Sequence, residues 1–220
     1  MRERIAAAAS RSGRNADAVT LIAVSKTQPA ARVREAFDAG QRLFGENYVQ
    51  EALGKIAELP AEARWHLIGH LQTNKARNVV GAFACIQTVD SPRLAQALER
   101  RAAALQARLD VLLQVNWSHE TSKSGVTGAD ALRRLAAEVT GYSWLKLRGL
   151  MTIPDPSYGE TELRRCFAEM RRLREALAAE CTPDAPFTEL SMGMSHDFEW
   201  AIEEGATMVR VGTAIFGARA

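Results

Sequence analysis

A lysine stands at the end of the first apolar run of the chain, in the stretch AVSKTQP around Lys26. Burial disfavours the charged form of an amine, so a partly buried lysine has a lowered pKa, and the free amine can form a Schiff base with an aldehyde. The alternative is an exposed lysine at the edge of a sheet, where the side chain reaches water. Lys26 alone does not decide between these interpretations, so other residues must.

Two glycine-containing stretches near the end of the chain have the residues of an anion site. In VRVGTAIFG, the backbone amides of Gly212 and Thr213 and the Thr213 hydroxyl are suited to hold a phosphate. In LSMGMSHD, Ser191 and Ser195 supply hydroxyls beside a helix that we expect to begin near His196. The alternative for the first stretch is a simple glycine turn, and for the second it is helix capping by Ser195, a role that is compatible with the anion site.

Arg210 lies in the run MVRVG, where alternation along a strand places Val209 and Val211 on one face and Arg210 on the other. We expect the valines to face the surrounding helices and Arg210 to point into the interior of the fold. A buried arginine needs an acceptor, which is either a structural carboxylate or a group of a cofactor, such as a ring nitrogen or a phosphate.

The composition argues against several classes of protein. The 220 residues are 47% hydrophobic, and 28 Lys and Arg balance 26 Asp and Glu, so neither disorder nor a nucleic-acid partner is indicated. Three widely spaced cysteines without a CxxC pair predict neither a disulfide framework nor a zinc cluster. His66 and His70 straddle a strand end, so no metal is expected. No run resembles a signal peptide or is long enough to span a bilayer, and we expect a cytoplasmic protein without a membrane partner.

Short apolar runs alternate with amphipathic segments along the whole chain, which is the pattern of βα units. Eight runs are predicted as strands, over residues 20–25, 42–45, 65–69, 84–89, 110–116, 145–150, 188–192 and 207–212. Helices are predicted over residues 29–39, 48–59, 74–80, 92–109, 129–139, 160–179 and 196–204, with an extra N-terminal helix over 2–12. This alternation favours an α/β fold, a single (β/α)8 TIM barrel over residues 1–220, above an open doubly wound sheet. The candidate residues then follow the carboxyl ends of strands, where such barrels carry their chemistry.

Six stretches of the chain resemble one known family. In chain order they are AVSKTQP, FGENYVQE, WHLIGHLQTNK, VNWSHETSKSGV, LRGLMTIP and LSMGMSHDFEWAIEEGATMVRVGTAIFGAR. On these stretches the chain is identified as a member of the YggS/PROSC family of pyridoxal phosphate (PLP) homeostasis proteins. The resemblance implies a barrel of the alanine racemase N-terminal domain type, without the second domain of the racemases.

The resemblance also implies what the candidate residues do. It implies that pyridoxal 5'-phosphate is the cofactor, that Lys26 carries it as a Schiff base, and that Arg210 faces its pyridine nitrogen. The remaining cofactor-binding residues that it implies are Asn47 and Met192 around the ring and Ser195, Gly212 and Thr213 around the phosphate. One departure concerns His196 and Phe198, which stand where many members have other residues, whereas Asp197 is retained.

Two classes of function remain open. PLP is the strongest electron sink when its ring nitrogen is protonated, and an arginine, which has donors and no acceptor, does not favour that proton. Racemisation also needs a second acid or base on the opposite face of the substrate, and the sequence has no evident candidate. We therefore favour a monomeric PLP carrier that serves PLP-accepting apoenzymes. The alternatives are a PLP-dependent amino-acid racemase of weak activity and a Schiff-base aldolase, and Lys123 is either a second amine or a solvated loop lysine.

Overall fold

Eight parallel strands form a closed barrel, and their order around the barrel is their order in the chain. The computed structural model describes residues 1–118, 120, 124–180 and 186–217. The strands are β1 (Thr20–Val24), β2 (Leu43–Glu46), β3 (Arg64–Leu67), β4 (Cys85–Val89), β5 (Leu109–Val115), β6 (Leu145–Thr152), β7 (Glu189–Ser191) and β8 (Met208–Val211). The barrel closes between β1 and β8, where Ile22 pairs with Arg210. The predicted barrel and its eight strands are confirmed.

Helices cover the outside of the barrel and connect its strands. They are α1 (Arg2–Arg11), α2 (Ala30–Asp38), α3 (Val49–Glu58), α4 (Pro92–Leu105), α5 (Ala129–Thr140), α6 (Glu160–Glu180), α7 (Phe198–Glu203) and α8 (Thr213–Phe216). Two 3₁₀ helices cover Ala16–Ala18 and Thr73–Asn78. The extra N-terminal helix is therefore present, while the segment predicted as a helix over 74–80 is a 3₁₀ helix, in keeping with the weak helix propensity of its asparagines.

The C-terminal end of α4 differs from the prediction that the helix runs to residue 109. Gln106 takes a left-handed conformation with a φ of 50°; its N–H donates to the Ala103 carbonyl, and the N–H of Ala107 donates to the Ala102 carbonyl, both at 3.0 Å. This cap ends the helix at Leu105 and leaves room for β5 to begin at Leu109. Such caps usually carry glycine, so the sequence does not signal this one.

Strand side chains alternate between the barrel interior and the layer beneath the helices. On β8, Val209 and Val211 are fully buried in the main hydrophobic core, whereas the Arg210 guanidinium bonds to Ser191 on β7 and Thr152 on β6, in keeping with the predicted alternation. A separate small apolar cluster contains Cys85, Leu112 and Met151, with Met208 packed against it. The barrel interior is therefore partly apolar and partly polar.

The N-terminal helix α1 packs against α7. The guanidinium of Arg4 lies over the Phe198 ring, 4.7 Å from its centroid, and its Nε donates to Glu199 at 3.1 Å. Arg11 donates to Glu203 at 2.7 Å. Because α7 follows the loop after β7 directly, α1 helps to hold that loop in place.

None of the helices in the described ranges is both long and apolar enough to cross a membrane. Within the same part of the chain, no three His, Cys, Asp or Glu side chains come together in a way that would hold a metal ion. Cys85 and Cys166 are buried free thiols, and burial raises the pKa of both. Cys181 lies outside the described residues.

Candidate functional site

A cavity of about 270 Å³ lies at the carboxyl-terminal ends of the strands. The loops after β1, β2, β3, β6, β7 and β8 contribute residues to its wall. Six of the seven residues predicted for cofactor binding line it, namely Lys26, Asn47, Ser195, Arg210, Gly212 and Thr213. The closure of the barrel thus brings together candidate residues from both ends of the chain.

Met192 is the predicted residue that lies elsewhere. Its side chain is fully buried in the main hydrophobic core, and its N–H donates to the carbonyl of Met208 at 3.1 Å. Met194, two residues later, lines the cavity. The positive φ of 91° at Gly193 turns the chain, so the alternation of the strand no longer applies after Met192.

Lys26 lies in the turn that follows β1. Val24 and Lys26 line the cavity, and Ser25 between them is fully buried on the other side of the wall. The side chain of Lys26 is half-buried. Lys26 therefore lies in the wall of the cavity, the place that the Schiff-base interpretation requires.

Asn47 follows β2 and carries an unsatisfied polar atom. Its Oδ1 is buried and has no hydrogen-bond partner among the described residues. A buried oxygen without a partner is costly, so its place in the wall of the cavity indicates a donor supplied by a ligand. Gly69 packs directly against this residue, since a Cβ on Gly69 would lie 2.3 Å from the Asn47 carbonyl oxygen.

Arg210 is held by two acceptors inside the barrel. Its Nη1 donates to the Ser191 hydroxyl at 2.7 Å, and its Nη2 donates to the Thr152 carbonyl at 2.8 Å. Burial lowers the pKa of Arg210 to about 10, and the nearby Asp197 carboxylate opposes that shift. The guanidinium therefore remains charged at neutral pH. A hydroxyl and a carbonyl hold it, rather than the carboxylate partner that one interpretation required.

A chain of hydrogen bonds continues from Arg210 through the barrel. Ser191 donates to Gln87 Oε1 at 2.7 Å, and Gln87 Nε2 lies 2.9 Å from His66 Nδ1. Since the amide nitrogen is a donor, Nδ1 must accept, which places the proton of the neutral imidazole on Nε2. Burial lowers the pKa of His66 to about 3, in agreement with this neutral form. Ser191 thus serves Arg210 and does not belong to an anion site.

The loop after β7 presents Ser195 to the cavity. The predicted helix start near His196 is shifted, because α7 begins at Phe198 with Asp197 in the capping position. Asp197 Oδ1 accepts the N–H of Met194 at 2.5 Å, and this bond ties the loop together. Burial raises the pKa of Asp197, while the hydrogen bond from Met194 acts in the opposite direction. Capping by Ser195, the alternative role, is therefore wrong.

The loop after β8 forms the side of the cavity opposite the loop after β7. Gly212 precedes α8, a short helix that the sequence analysis did not predict, and its carbonyl accepts the N–H groups of Ile215 and Phe216. The first N–H groups of a helix have no acceptor within that helix. The N–H groups at the start of α8, around Gly212 and Thr213, can therefore donate to a ligand. Among the described residues that line the cavity there is no Asp or Glu, whereas Lys26 and Arg210 make it basic.

The two positions that depart from the family pattern have different surroundings. His196 is exposed and lines the cavity, whereas Phe198 is fully buried beneath Arg4. Phe198 is therefore a core residue, and His196 adds a titratable group to the cavity. Lys123, which the sequence offered as a second amine or a solvated loop lysine, lies outside the described residues.

The family model of the alanine racemase N-terminal domain matches residues 1–220 of the chain. The pyridoxal phosphate homeostasis protein of Escherichia coli (strain K12) is 48% identical over 223 residues, which cover 100% of this chain and 94% of the relative. The protein of the same name from Pseudomonas aeruginosa is 49% identical over 217 residues, covering 98% and 91%.

Solved structures of similar proteins lead to the same family. PipY of Synechococcus elongatus with PLP bound is 43% identical and superposes with a TM-score of 0.86, covering 98% of this chain and 99% of PipY. Alanine racemase of Corynebacterium glutamicum has a TM-score of 0.72 at 18% identity, covering 99% of this chain and 60% of the racemase, which shows a shared fold alone. The chain belongs to the family of the alanine racemase N-terminal domain and, within it, to the pyridoxal phosphate homeostasis proteins.

Proposed function

We propose that this chain binds PLP in the cavity as a Schiff base on Lys26 and serves PLP homeostasis without catalytic turnover. The observation that carries the proposal is the cavity itself, in which the Lys26 amine, the loops with Ser195 and Gly212, and Arg210 meet. The names of the curated relatives and the PLP-bound structure of PipY support it.

The covalent link needs only an amine and an aldehyde. The Lys26 nitrogen forms a C=N double bond to the aldehyde carbon, and the aldehyde oxygen leaves as water with the two protons of the amine. Water can reverse the reaction, so a carrier that holds its cargo in this way can also release it. When bound, PLP supplies an aldehyde and an electron sink.

The other residues of the cavity fit the rest of the cofactor. The amides at Gly212 and Thr213 and the Ser195 hydroxyl are donors suited to a phosphate, and the basic lining favours its charge. The buried Asn47 Oδ1, which has no partner among the described residues, gains one if a ligand donor lies in the cavity.

Arg210 supports storage rather than turnover. It remains a cation at neutral pH, and a cation beside a ring nitrogen disfavours a second positive charge there. The electron sink that racemisation requires is weakened when this nitrogen is unprotonated. The residue that holds the cofactor in place therefore also limits its reactivity.

A PLP-dependent amino-acid racemase of weak activity is the second candidate, and His196 is the observation that favours it. Besides Lys26 and Arg210, this histidine is the one residue of the described lining whose side chain is an acid or a base. It is thus the available second acid or base. Turnover of an amino acid by the wild type that disappears in His196→Gln, with PLP binding unchanged, would establish the enzyme.

The test of the carrier is reduction of the bound cofactor. Purified protein mixed with PLP should develop the visible absorbance of a Schiff base, and borohydride should convert the C=N bond into a stable amine on Lys26, located by peptide mass spectrometry. Lys26→Ala should lose the covalent label. It should retain PLP through the residues proposed for the phosphate, Ser195, Gly212 and Thr213, with an affinity at least about tenfold weaker than that of the wild type. No PLP uptake, or a label on another lysine, would refute the assignment.

Three further properties belong to the same proposal. Since one chain supplies all six of the predicted cofactor-binding residues that line the cavity, we infer that a monomer is sufficient and that residues 1–220 act as one domain. The cargo would pass to PLP-accepting apoenzymes. The buried free thiols of Cys85 and Cys166 suit a reducing compartment such as the cytoplasm.

A further inference from the structure

Four side chains behind the barrel wall hold the turn that carries Lys26. They form a hydrogen-bonded cluster between β1, β2 and α3, called here the α3 anchor, and its members are Ser25, Glu46, Glu51 and Lys55. Ser25 and Glu46 are fully buried and Lys55 is 5% exposed. The four are absent from the described lining of the cavity, so the anchor lies on the other side of the wall.

The ammonium group of Lys55 is the centre of the anchor. Its Nζ donates to the Ser25 carbonyl at 2.6 Å, to Glu46 Oε1 at 2.7 Å and to Glu51 Oε1 at 2.6 Å. The Ser25 hydroxyl donates to the same oxygen of Glu46 at 2.7 Å. A lysine has three N–H donors, so Lys55 is fully satisfied by these partners, and its position is determined by them.

The turn around Lys26 contains a conformation that its sequence disfavours. The Gln28 N–H donates to the Ser25 carbonyl at 3.0 Å, which encloses Lys26 and Thr27 in a tight turn. Thr27 has a φ of 65°, in the left-handed region that is unfavourable for a β-branched residue. Glu51 Oε1 accepts the N–H of Thr27 at 2.5 Å and thereby holds this backbone.

Both neighbours of Lys26 are therefore tied to one helix. Glu51 and Lys55 lie one turn apart on α3, where they also pair with each other. Lys55 fixes Ser25 before the lysine, and Glu51 fixes Thr27 after it. Lys26 lines the cavity and Ser25 does not, so holding Ser25 toward the anchor leaves Lys26 directed toward the cavity.

We propose that Glu51 and Lys55 are positioning residues that direct the Lys26 amine toward the PLP aldehyde, an inference that rests on the proposed function. Without Glu51, Thr27 relaxes to a negative φ and the direction of the neighbouring lysine changes. The residues proposed for the phosphate lie on the loops after β7 and β8 and do not depend on the anchor. Loss of Glu51 should therefore weaken Schiff-base formation and leave non-covalent binding of the cofactor unchanged.

The experiment compares two ligands in variants of one residue. Schiff-base absorbance is titrated with PLP, and binding of pyridoxine 5'-phosphate, which lacks the aldehyde, is measured by calorimetry. Glu51→Ala should raise the PLP concentration for half-maximal absorbance about tenfold, the effect of losing a hydrogen bond to a charged acceptor, and change pyridoxine 5'-phosphate affinity less than about twofold. Glu51→Gln, whose amide oxygen still accepts the Thr27 N–H, should remain within about threefold of wild type. Glu58→Ala, exposed on the same helix, is the matched control.

A double variant tests the role of the turn itself. Glycine tolerates a positive φ, so Glu51→Ala combined with Thr27→Gly should recover most of the lost Schiff-base affinity. A double variant no better than Glu51→Ala, an unchanged Glu51→Ala, or equal weakening of both ligands would each overturn the positioning role. If the wild type itself forms no Schiff base, the proposed function fails instead, so the two failures are distinguishable.

Discussion

Arg210 donates a hydrogen bond of 2.7 Å to Ser191 inside the barrel, and the serine hydroxyl in turn donates to Gln87 Oε1, also at 2.7 Å. The Ser191 hydroxyl is thus acceptor and donor at once, and its orientation is determined from both sides. This arrangement holds a guanidinium that is 3% exposed at the wall of the cavity. In the proposed function, a cation so placed would disfavour protonation of a ring nitrogen beside it, which is the electrostatic condition for holding PLP unreactive.

Replacing Ser191 with alanine should destabilise the folded protein. The change leaves Arg210 Nη1 without an acceptor and Gln87 Oε1 without a donor, and both groups are buried. Because an unsatisfied buried group costs about 1–3 kcal/mol, the free energy of unfolding in urea should fall by roughly 2–4 kcal/mol. Ser157→Ala is the matched control, since that hydroxyl bonds to Asp155 at the surface, and it should change stability by less than about 0.5 kcal/mol. Similar small losses in both variants would contradict the role of Ser191.

Stability should fall below neutral pH because of His66. Burial lowers the pKa of His66 in the folded protein from 6.5 to about 3. Between these two values the unfolded chain binds a proton that the folded chain does not, so the stabilising contribution is present above pH 6.5 and is lost as the pH falls. The free energy of unfolding, measured in urea at successive pH values, should therefore fall by at most about 1.4 kcal/mol per pH unit because of this group.

Two variants assign this pH dependence to one histidine. His66→Gln keeps an acceptor for the Gln87 amide but has no imidazole to protonate. As the pH falls, its free energy of unfolding should therefore decrease by about 1 kcal/mol less per pH unit than that of the wild type. His196→Gln, at an exposed position, should follow the wild type. If His66→Gln retains the full acid sensitivity of the wild type, another group is responsible.

The barrel was predictable because the signal for buried parallel strands is local. Each of the eight strands is a short apolar run, and the predicted bounds differ from the observed ones by a residue or two. The end of α4 was not predictable, since Gln106 takes a conformation that glycine usually marks. The start of α7 was shifted because Ser195 has the chemistry of a cap, while the buried Asp197 occupies that position.

Six of the seven residues predicted for cofactor binding line one cavity, but the contacts that support them were not predicted. Ser25 meets Glu46 because β1 pairs with β2 in a register that places Val24 opposite Gly45, and a sequence alone does not give that register. One signal was present: Glu46 ends an otherwise apolar run, and a buried carboxylate there needs a partner. The spacing of Glu51 and Lys55 by four residues on one helix supplied a second signal.

Substituting Gly193 should disturb the loop that presents Ser195. Its φ is 91°, and a Cβ would lie 2.6 Å from the Ala201 Cβ and 2.9 Å from the Phe198 Cα, so Gly193→Ala must displace either the loop or α7. The free energy of unfolding should fall by more than about 2 kcal/mol, and the affinity for PLP should fall with it. Gly40→Ala is the matched control, because its φ of 95° is similar but nothing lies within 4 Å of the added carbon. It should lose only about 1–2 kcal/mol of stability from the strained backbone and keep its PLP affinity, measured by the same titration. Equal loss of PLP affinity in the two variants would show that close packing at Gly193 does not position Ser195.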